Sequence, residues 1–152
     1  MKTQEFLSAA VAAARQSSAQ SNLHAGVTVA QAALESAWGE SRLAQKANNY
    51  FGIKTRGDQL FIAIPTTECE AGETKKLTAR FARYRSMAEC FAARDAIILV
   101  VPCYAEARGH AREPLAFIHS LAKHWATDPA YAEKLERIYL QHGFAALDRC
   151  VL

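Results

Sequence analysis

Residues 58–85, DQLFIAIPTTECEAGETKKLTARFARYR, decide the fold class of this chain. Leu60 to Ile64 is an apolar run rich in β-branched and aromatic residues, and Leu77, Ala79 and Phe81 alternate with Thr78, Arg80 and Ala82, the period-two pattern of a half-buried strand. Ala71-Gly72-Glu73 supplies the turn, so the segment predicts a β-hairpin. On both sides of it the signals are helical. Phe6, Leu7, Ala10, Val11 and Ala14 recur at helical spacing over about 4–19. Thr28-Val29-Ala30-Gln31 reads as a capping box that opens a helix over 29–38, stopped by Gly39. Ser86-Met87-Ala88-Glu89 is a second capping box, whose helix must end near Pro102. Pro114 suits the first turn of a helix over 113–124, and Asp128-Pro129 the N-cap and first position of one that runs to Gly143. The reading is an α+β domain spanning 1–152, with a helical lobe and a small β-hairpin lobe at 58–85. Two such lobes leave a cleft, where ligand sites are expected.

Composition narrows the function classes. The chain has 152 residues with a formal net charge of +3, too small an excess to support a nucleic-acid or membrane-surface argument. The longest apolar run, Ala96 to Val101, is far short of the roughly 20 residues a spanning helix needs. The N-terminal stretch MKTQEFLSAAVAAARQ is not read as a signal peptide, because Thr3, Gln4 and Glu5 come too early and Ser8 and Arg15 interrupt the alanines. Cys69, Cys90, Cys103 and Cys150 show no CxxC or Cys/His ligand spacing, which leaves no metal or cofactor implied. An even count permits two disulfides, but buried free thiols are the simpler expectation.

On the helix over 29–38, Gln31, Leu34, Glu35 and Trp38 fall on one face. A carboxylate among Leu34, Trp38, Ala32 and Ala33 loses hydration, and desolvation favours its neutral form. A Glu protonated near neutrality is a general acid, the device by which glycosidases protonate a leaving glycosidic oxygen. Spacing alone equally allows Glu35 to flank the core and pair with Arg42. A second carboxylate would come from the hairpin, where Glu68 and Glu70 are two apart in a strand and periodicity does not choose between them. The run TTECEAGE is also an ordinary acidic turn. Asn48-Asn49 with Tyr50 and Phe51 offers amides and aromatic faces suited to sugars, or simply a helix exit entering the core. The basic residues Lys75, Lys76, Arg80, Arg83 and Arg85 suit an anionic polymer or a solvated hairpin face.

Three blocks together resemble the family 73 glycoside hydrolases, the bacterial glucosaminidases that include flagellar and autolysin domains. They are VTVAQAALESAWGESRLAQKANNYFGIK (27–54), TTECEAGE (66–73) and WATDPAYAEKL (125–135). The resemblance implies a lysozyme-like fold and hydrolysis of the β-1,4 bond between N-acetylglucosamine and N-acetylmuramic acid in peptidoglycan. It further implies Glu35 as catalytic acid, Glu68 as second carboxylate, and Asn49, Phe51, Trp125 and Tyr131 as substrate-binding residues. Trp125 stands where the family has Tyr, which keeps a stacking surface and loses a hydroxyl. A lytic transglycosylase is the alternative enzyme, although the GLMQ-type block is missing; a weak wall-binding module is the alternative of another class. Without a signal peptide, delivery is expected either as a phage endolysin or as an antibacterial toxin injected into a rival's periplasm, similar to type VI secretion effectors. The toxin reading is preferred and implies a cognate immunity protein that blocks the cleft.

Overall fold

In a computed structural model of the protein, residues 2–57 and 59–148 are described, apart from the side chains of residues 68–70. Among the described residues, seven helices and one antiparallel pair of strands follow in the order α1 (Thr3–Ser21), α2 (Ala25–Ser36), α3 (Arg42–Ala47), β1 (Phe61–Glu70), β2 (Glu73–Ala82), α4 (Met87–Val100), α5 (Ala105–Arg108), α6 (Pro114–Trp125) and α7 (Tyr131–Gln141). Short 3-10 turns cover Pro102–Tyr104 and Phe144–Asp148.

The core is built around α2. Every residue from Ala25 to Ala33 is buried, the mark of a helix enclosed on all sides by others. α1 lays Phe6, Ala10, Ala13, Ala14 and Ser17 against it, spaced for one face of a helix. On the other side Gly26 permits close contact with the Phe144–Asp148 turn: a Cβ there would lie 2.1 Å from the Phe144 carbonyl oxygen. The Gly26 amide donates to Asp148 Oδ1 at 2.7 Å, and the Tyr139 hydroxyl donates to Asp148 Oδ2 at 2.8 Å, so one carboxylate ties α2, α7 and the C-terminal turn together.

The α2 boundaries depart from the capping-box reading. The helix starts at Ala25, one turn earlier, and Thr28 lies inside it, donating to the His24 carbonyl at 3.0 Å. Thr28 and Gln31 do not cap; both are partners of a buried arginine described below. The helix also ends sooner, at Ser36, because Ala37, Trp38 and Gly39 all have positive φ (50°, 58° and 83°). Trp38 therefore leaves the face of Glu35 and packs against Phe6, His142 and Phe144. The α3 helix, capped by Ser41 accepting from the Ala44 amide at 3.1 Å, is the helix whose exit the sequence offers at Asn48-Asn49: Asn48, at φ 51°, is its C-cap. The second capping box holds: Ser86 Oγ accepts from the Glu89 amide at 3.1 Å and α4 stops before Pro102. Pro114 opens α6 as expected. α7 begins at Tyr131 rather than at Pro129, with Asp128 Oδ1 accepting from the Ala130 amide at 2.9 Å across the preceding turn.

β1 and β2 pair in register from Phe61 opposite Ala82 to Glu70 opposite Glu73, closed by Ala71 and Gly72 at φ 51° and 80°, the left-handed pair that a two-residue hairpin turn requires. The strands are not half-buried throughout. On β2 only Ala79 and Phe81 are partly covered and only Ala82 is buried, while Leu77 is 46% exposed. One face of the ribbon, Ile62, Ile64 and Thr66 of β1 with Ala79 and Phe81 of β2, is partly covered, and among the described residues full burial comes where the base meets the helical lobe. There the Ala82 amide donates to the Ile53 carbonyl (2.9 Å), Thr55 to Arg80 (3.1 Å) and Tyr84 to Ala47 (2.9 Å). No described helix is long and apolar enough to cross a membrane.

Candidate active site

Between the hairpin base and the helices lies a cleft of about 580 Å³, walled by Leu34 and Glu35 of α2, Phe51 and Gly52 of the loop after α3, Phe81 of β2, Trp125 at the end of α6, and Asp128, Tyr131 and Lys134. It brings together Glu35, Phe51, Trp125 and Tyr131, four of the residues singled out from the sequence, which come from four separate elements. Glu35 stands on the last turn of α2. Burial pushes its carboxyl above the ordinary glutamate range, and hydrogen bonding from Tyr131 offsets part of that rise. Tyr131 is buried, and burial together with the neighbouring Glu35 charge pushes its phenol up, so it serves here as a donor. Gly52 adopts φ +69°, and its missing side chain leaves the approach to Glu35 open: a Cβ there would sit 3.8 Å from Glu35 Oε2.

Asn49 supports this floor from below. It is 1% exposed, its Nδ2 donates to the carbonyls of Ile53 (2.8 Å) and Ala82 (2.9 Å), and its Oδ1 accepts from the amides of Phe51 (3.3 Å) and Ile53 (3.1 Å). All the hydrogen-bonding capacity of the amide is thereby used. Asn49 holds the loop and the hairpin base in place rather than offering its amide to a sugar. Tyr50 likewise points into the core, against Phe6 and Phe91. Phe51 packs on Phe91 and meets Trp125 edge-on at 6.4 Å. Trp125 also borders a second hollow of about 340 Å³ lined by Lys54, Thr55, Arg56 and Tyr104, so the groove continues past the indole.

Glu68, expected as the second carboxylate, is placed only by its backbone. Glu68 pairs with Lys75 in the ribbon; its side chain and that of Glu70 lie outside the described residues. Of the cysteines, Cys90 is buried and free, with its thiol pushed up to about 12 chiefly by desolvation, and Cys103 is exposed and free. The side chain of Cys69, and Cys150, lie outside the described residues.

The sequence reading missed what stands behind Tyr131. Arg94 of α4 is fully buried and donates from Nε to Gln31 Oε1 (2.9 Å) and from Nη1 to Thr28 Oγ1 and Asp95 Oδ1 (2.8 Å each). Gln31 in turn donates to the Tyr131 hydroxyl at 3.2 Å. The available signal was the Arg94-Asp95 pair inside the otherwise apolar run 90–101, since buried charges must be paired.

The glucosaminidase family profile, described as mannosyl-glycoprotein endo-beta-N-acetylglucosaminidase, matches residues 11–143. The chain belongs to this glucosaminidase family. The glucosaminidase chain is 34% identical over 144 residues to the peptidoglycan hydrolase FlgJ of Pseudomonas aeruginosa, an alignment covering 90% of this chain and 36% of that protein. It spans less than half the length of the curated relatives it matches first. Among solved structures, the catalytic domain of the autolysin Auto from Listeria monocytogenes superposes with a TM-score of 0.85 at 28% identity, covering 96% of this chain and 87% of that one. A type VI secretion effector–immunity complex from Pseudomonas protegens shares the fold, with a TM-score of 0.64 at 22% identity over 97% of this chain and 94% of that one. The glucosaminidase fold is lysozyme-like, mostly helical with one two-stranded sheet beside the cleft.

Proposed function

We propose that the protein hydrolyses the β-1,4 bond between N-acetylglucosamine and N-acetylmuramic acid in peptidoglycan, with Glu35 as general acid. The observation that carries the reading is a desolvated carboxyl, raised by burial, opening into a long cleft in a chain of the glucosaminidase family. A carboxyl whose neutral form is favoured by burial can pass its proton to the bridging oxygen as the bond breaks, and such general acid catalysis contributes typically ~10²–10⁴-fold. Trp125, partly exposed in the cleft, presents ring surface to the apolar faces of the sugars; Phe51, expected beside it as a sugar-binding ring, is 1% exposed and instead supports the indole from within the floor, and Tyr131 orients the acid. The open groove on both sides of Trp125 suits an internal position on a glycan strand.

Glu68 is assigned the second role, activation of water on the opposite face. Its partner Lys75 and the cleft residue Phe81 are six apart on β2, so they share one face of the pleat, separated by about 20 Å of strand at ~3.3 Å per residue. An inverting mechanism needs the two carboxyls about 6.5–9.5 Å apart, which the hairpin reaches by curling over the bound strand. If the substrate N-acetyl oxygen attacks instead, Glu35 stays essential and Glu68 becomes replaceable.

The biological setting we propose is action in the periplasm or cell wall of a target cell, as an antibacterial toxin countered by an immunity protein that covers Glu35. The fold shared with a chain of a type VI secretion effector–immunity complex is what supports it. A phage endolysin is the competing setting, and the two are separated by whether a neighbouring gene product binds and inhibits.

The deciding experiment is digestion of purified peptidoglycan by wild type and Glu35→Gln, with borohydride reduction and mass spectrometry of the products. Reduced N-acetylglucosamine ends from wild type alone are expected. Reduced muramic ends would make it a muramidase and anhydro ends a transglycosylase; no release by either protein would leave a wall-binding module.

A further inference from the structure

Behind Tyr131 stands a buried arginine linked to it through Gln31. Arg94 sits at the centre of α4, fully buried, with its guanidinium 5.7 Å from the Phe51 ring centroid. Its charge is matched by Asp95 at 2.8 Å, which also accepts from the Ser21 hydroxyl at 2.7 Å. A guanidinium only donates. The Gln31 oxygen must therefore face Arg94 Nε, and its amide nitrogen must face away, toward the Tyr131 oxygen. With that donor fixed on its oxygen, the phenol directs its own proton to the remaining acceptor, the Glu35 carboxylate. Every link in Arg94, Gln31, Tyr131 and Glu35 has one allowed direction, and Arg94 sets it.

We propose that Arg94 is a positioning residue that, through the Gln31 amide, fixes the direction in which Tyr131 donates to the catalytic carboxylate of Glu35. This rests on the reading of Glu35 as the acid. Remove the guanidinium and the Gln31 amide is free to turn over; its oxygen then takes the Tyr131 proton and Glu35 loses its donor. A carboxylate that loses a donor to its charged form becomes harder to ionise. Among the described residues, the other ionisable groups that line the cleft, Asp128 and Lys134, are paired with each other at 2.6 Å, and the loop and hairpin base contribute Phe51, Gly52 and Phe81.

The test is the pH dependence of kcat on peptidoglycan for Arg94→Met and Gln31→Glu, each alone and combined with Tyr131→Phe. Gln31→Glu is isosteric, keeps Arg94 paired, and replaces the donor facing Tyr131 with an acceptor, so it carries the test if Arg94→Met does not fold. Both single variants should move the alkaline limb upward and lower kcat by about tenfold to a hundredfold, as expected for a displaced catalytic group. Each substitution also makes the buried cluster one charge more negative, a field that acts on Glu35 with or without the phenol, so in the Tyr131→Phe background the limb should move by clearly less than in the wild-type background. An unshifted limb in the single variants, or an equal shift in both backgrounds, would overturn the inference, the latter because it would mean a direct field rather than a relay. An active Glu35→Gln protein would instead refute the underlying reading, so the two failures are told apart.

Discussion

Asn49→Ala tests whether the cleft floor is held by the amide bracket. The substitution removes two donations, to Ile53 and Ala82 at 2.8 and 2.9 Å, and two acceptances, from Phe51 and Ile53 at 3.3 and 3.1 Å. At about 1 kcal/mol net for each bond the loss is ~4 kcal/mol, a large part of the ~5–15 kcal/mol by which a domain is stable. For a chain of this size each kcal/mol moves Tm by about 2–4 °C, so a fall of about 10 °C is expected. Urea and thermal unfolding followed by circular dichroism measure it. Because Asn49 ties Ile53 to Ala82, the hairpin should loosen first, and hydrogen exchange should speed up at Ala82 and Phe51 ahead of the α2 core. A variant as stable as wild type, with KM raised and kcat kept, would mean that the amide serves the glycan and that the bracket account is wrong.

The remaining predictions follow from burial. Glu35 should make the fold less stable where it is ionised. Its carboxyl is raised in the folded state, so the penalty is absent below the unfolded value near 4.5 and grows as pH rises through the folded value. Glu35→Gln should therefore unfold at a higher temperature than wild type at neutral pH and lose that advantage in acid, as scanning calorimetry at two pH values would show. In the native protein an alkylating reagent should label Cys103 and spare Cys90, whose thiol is pushed up to about 12. Peptide mass spectrometry after brief labelling reads this directly, and rapid modification of Cys90 would contradict the packing around it.

Local signals were legible because their physics is local. The Ser86 capping box, Pro114 at the start of α6 and the hairpin turn at Ala71-Gly72 each act within a few residues, and each is in the structure. Thr28 shows where that stops. A threonine three residues before a glutamine looks the same whether it caps a helix or lies inside one, and the partner that decides, Arg94, is 66 residues away. The alternation of Leu77, Ala79 and Phe81 was real, but a period of two reports a two-sided strand and not whether anything covers one side. Glu35 could be found because a carboxylate on an apolar helix face is unusual in itself. Tyr131 and Trp125 came from resemblance to the family, and Arg94 and Gln31 from neither, since a buried polar chain is assembled from positions that no window of sequence holds together. Asn49 was read by its chemistry, which was correct, and given the wrong recipient.

The hairpin's attachment has a mechanical side. Ten paired residues make a ribbon about 33 Å long at ~3.3 Å each, joined to the helical lobe only at its base, where Asn49 clasps Ala82 and Ile53. It is a cantilever. By simple geometry on that ~33 Å length, a tilt of about 10° at the clasp carries the free end through ~6 Å, more than the ~3 Å that spans the whole inverting range of carboxyl separations. Control of the reaction's second half would then lie less in the acidic tip than in the stiffness of three backbone bonds and two side-chain amides, Asn48 and Asn49, at the root.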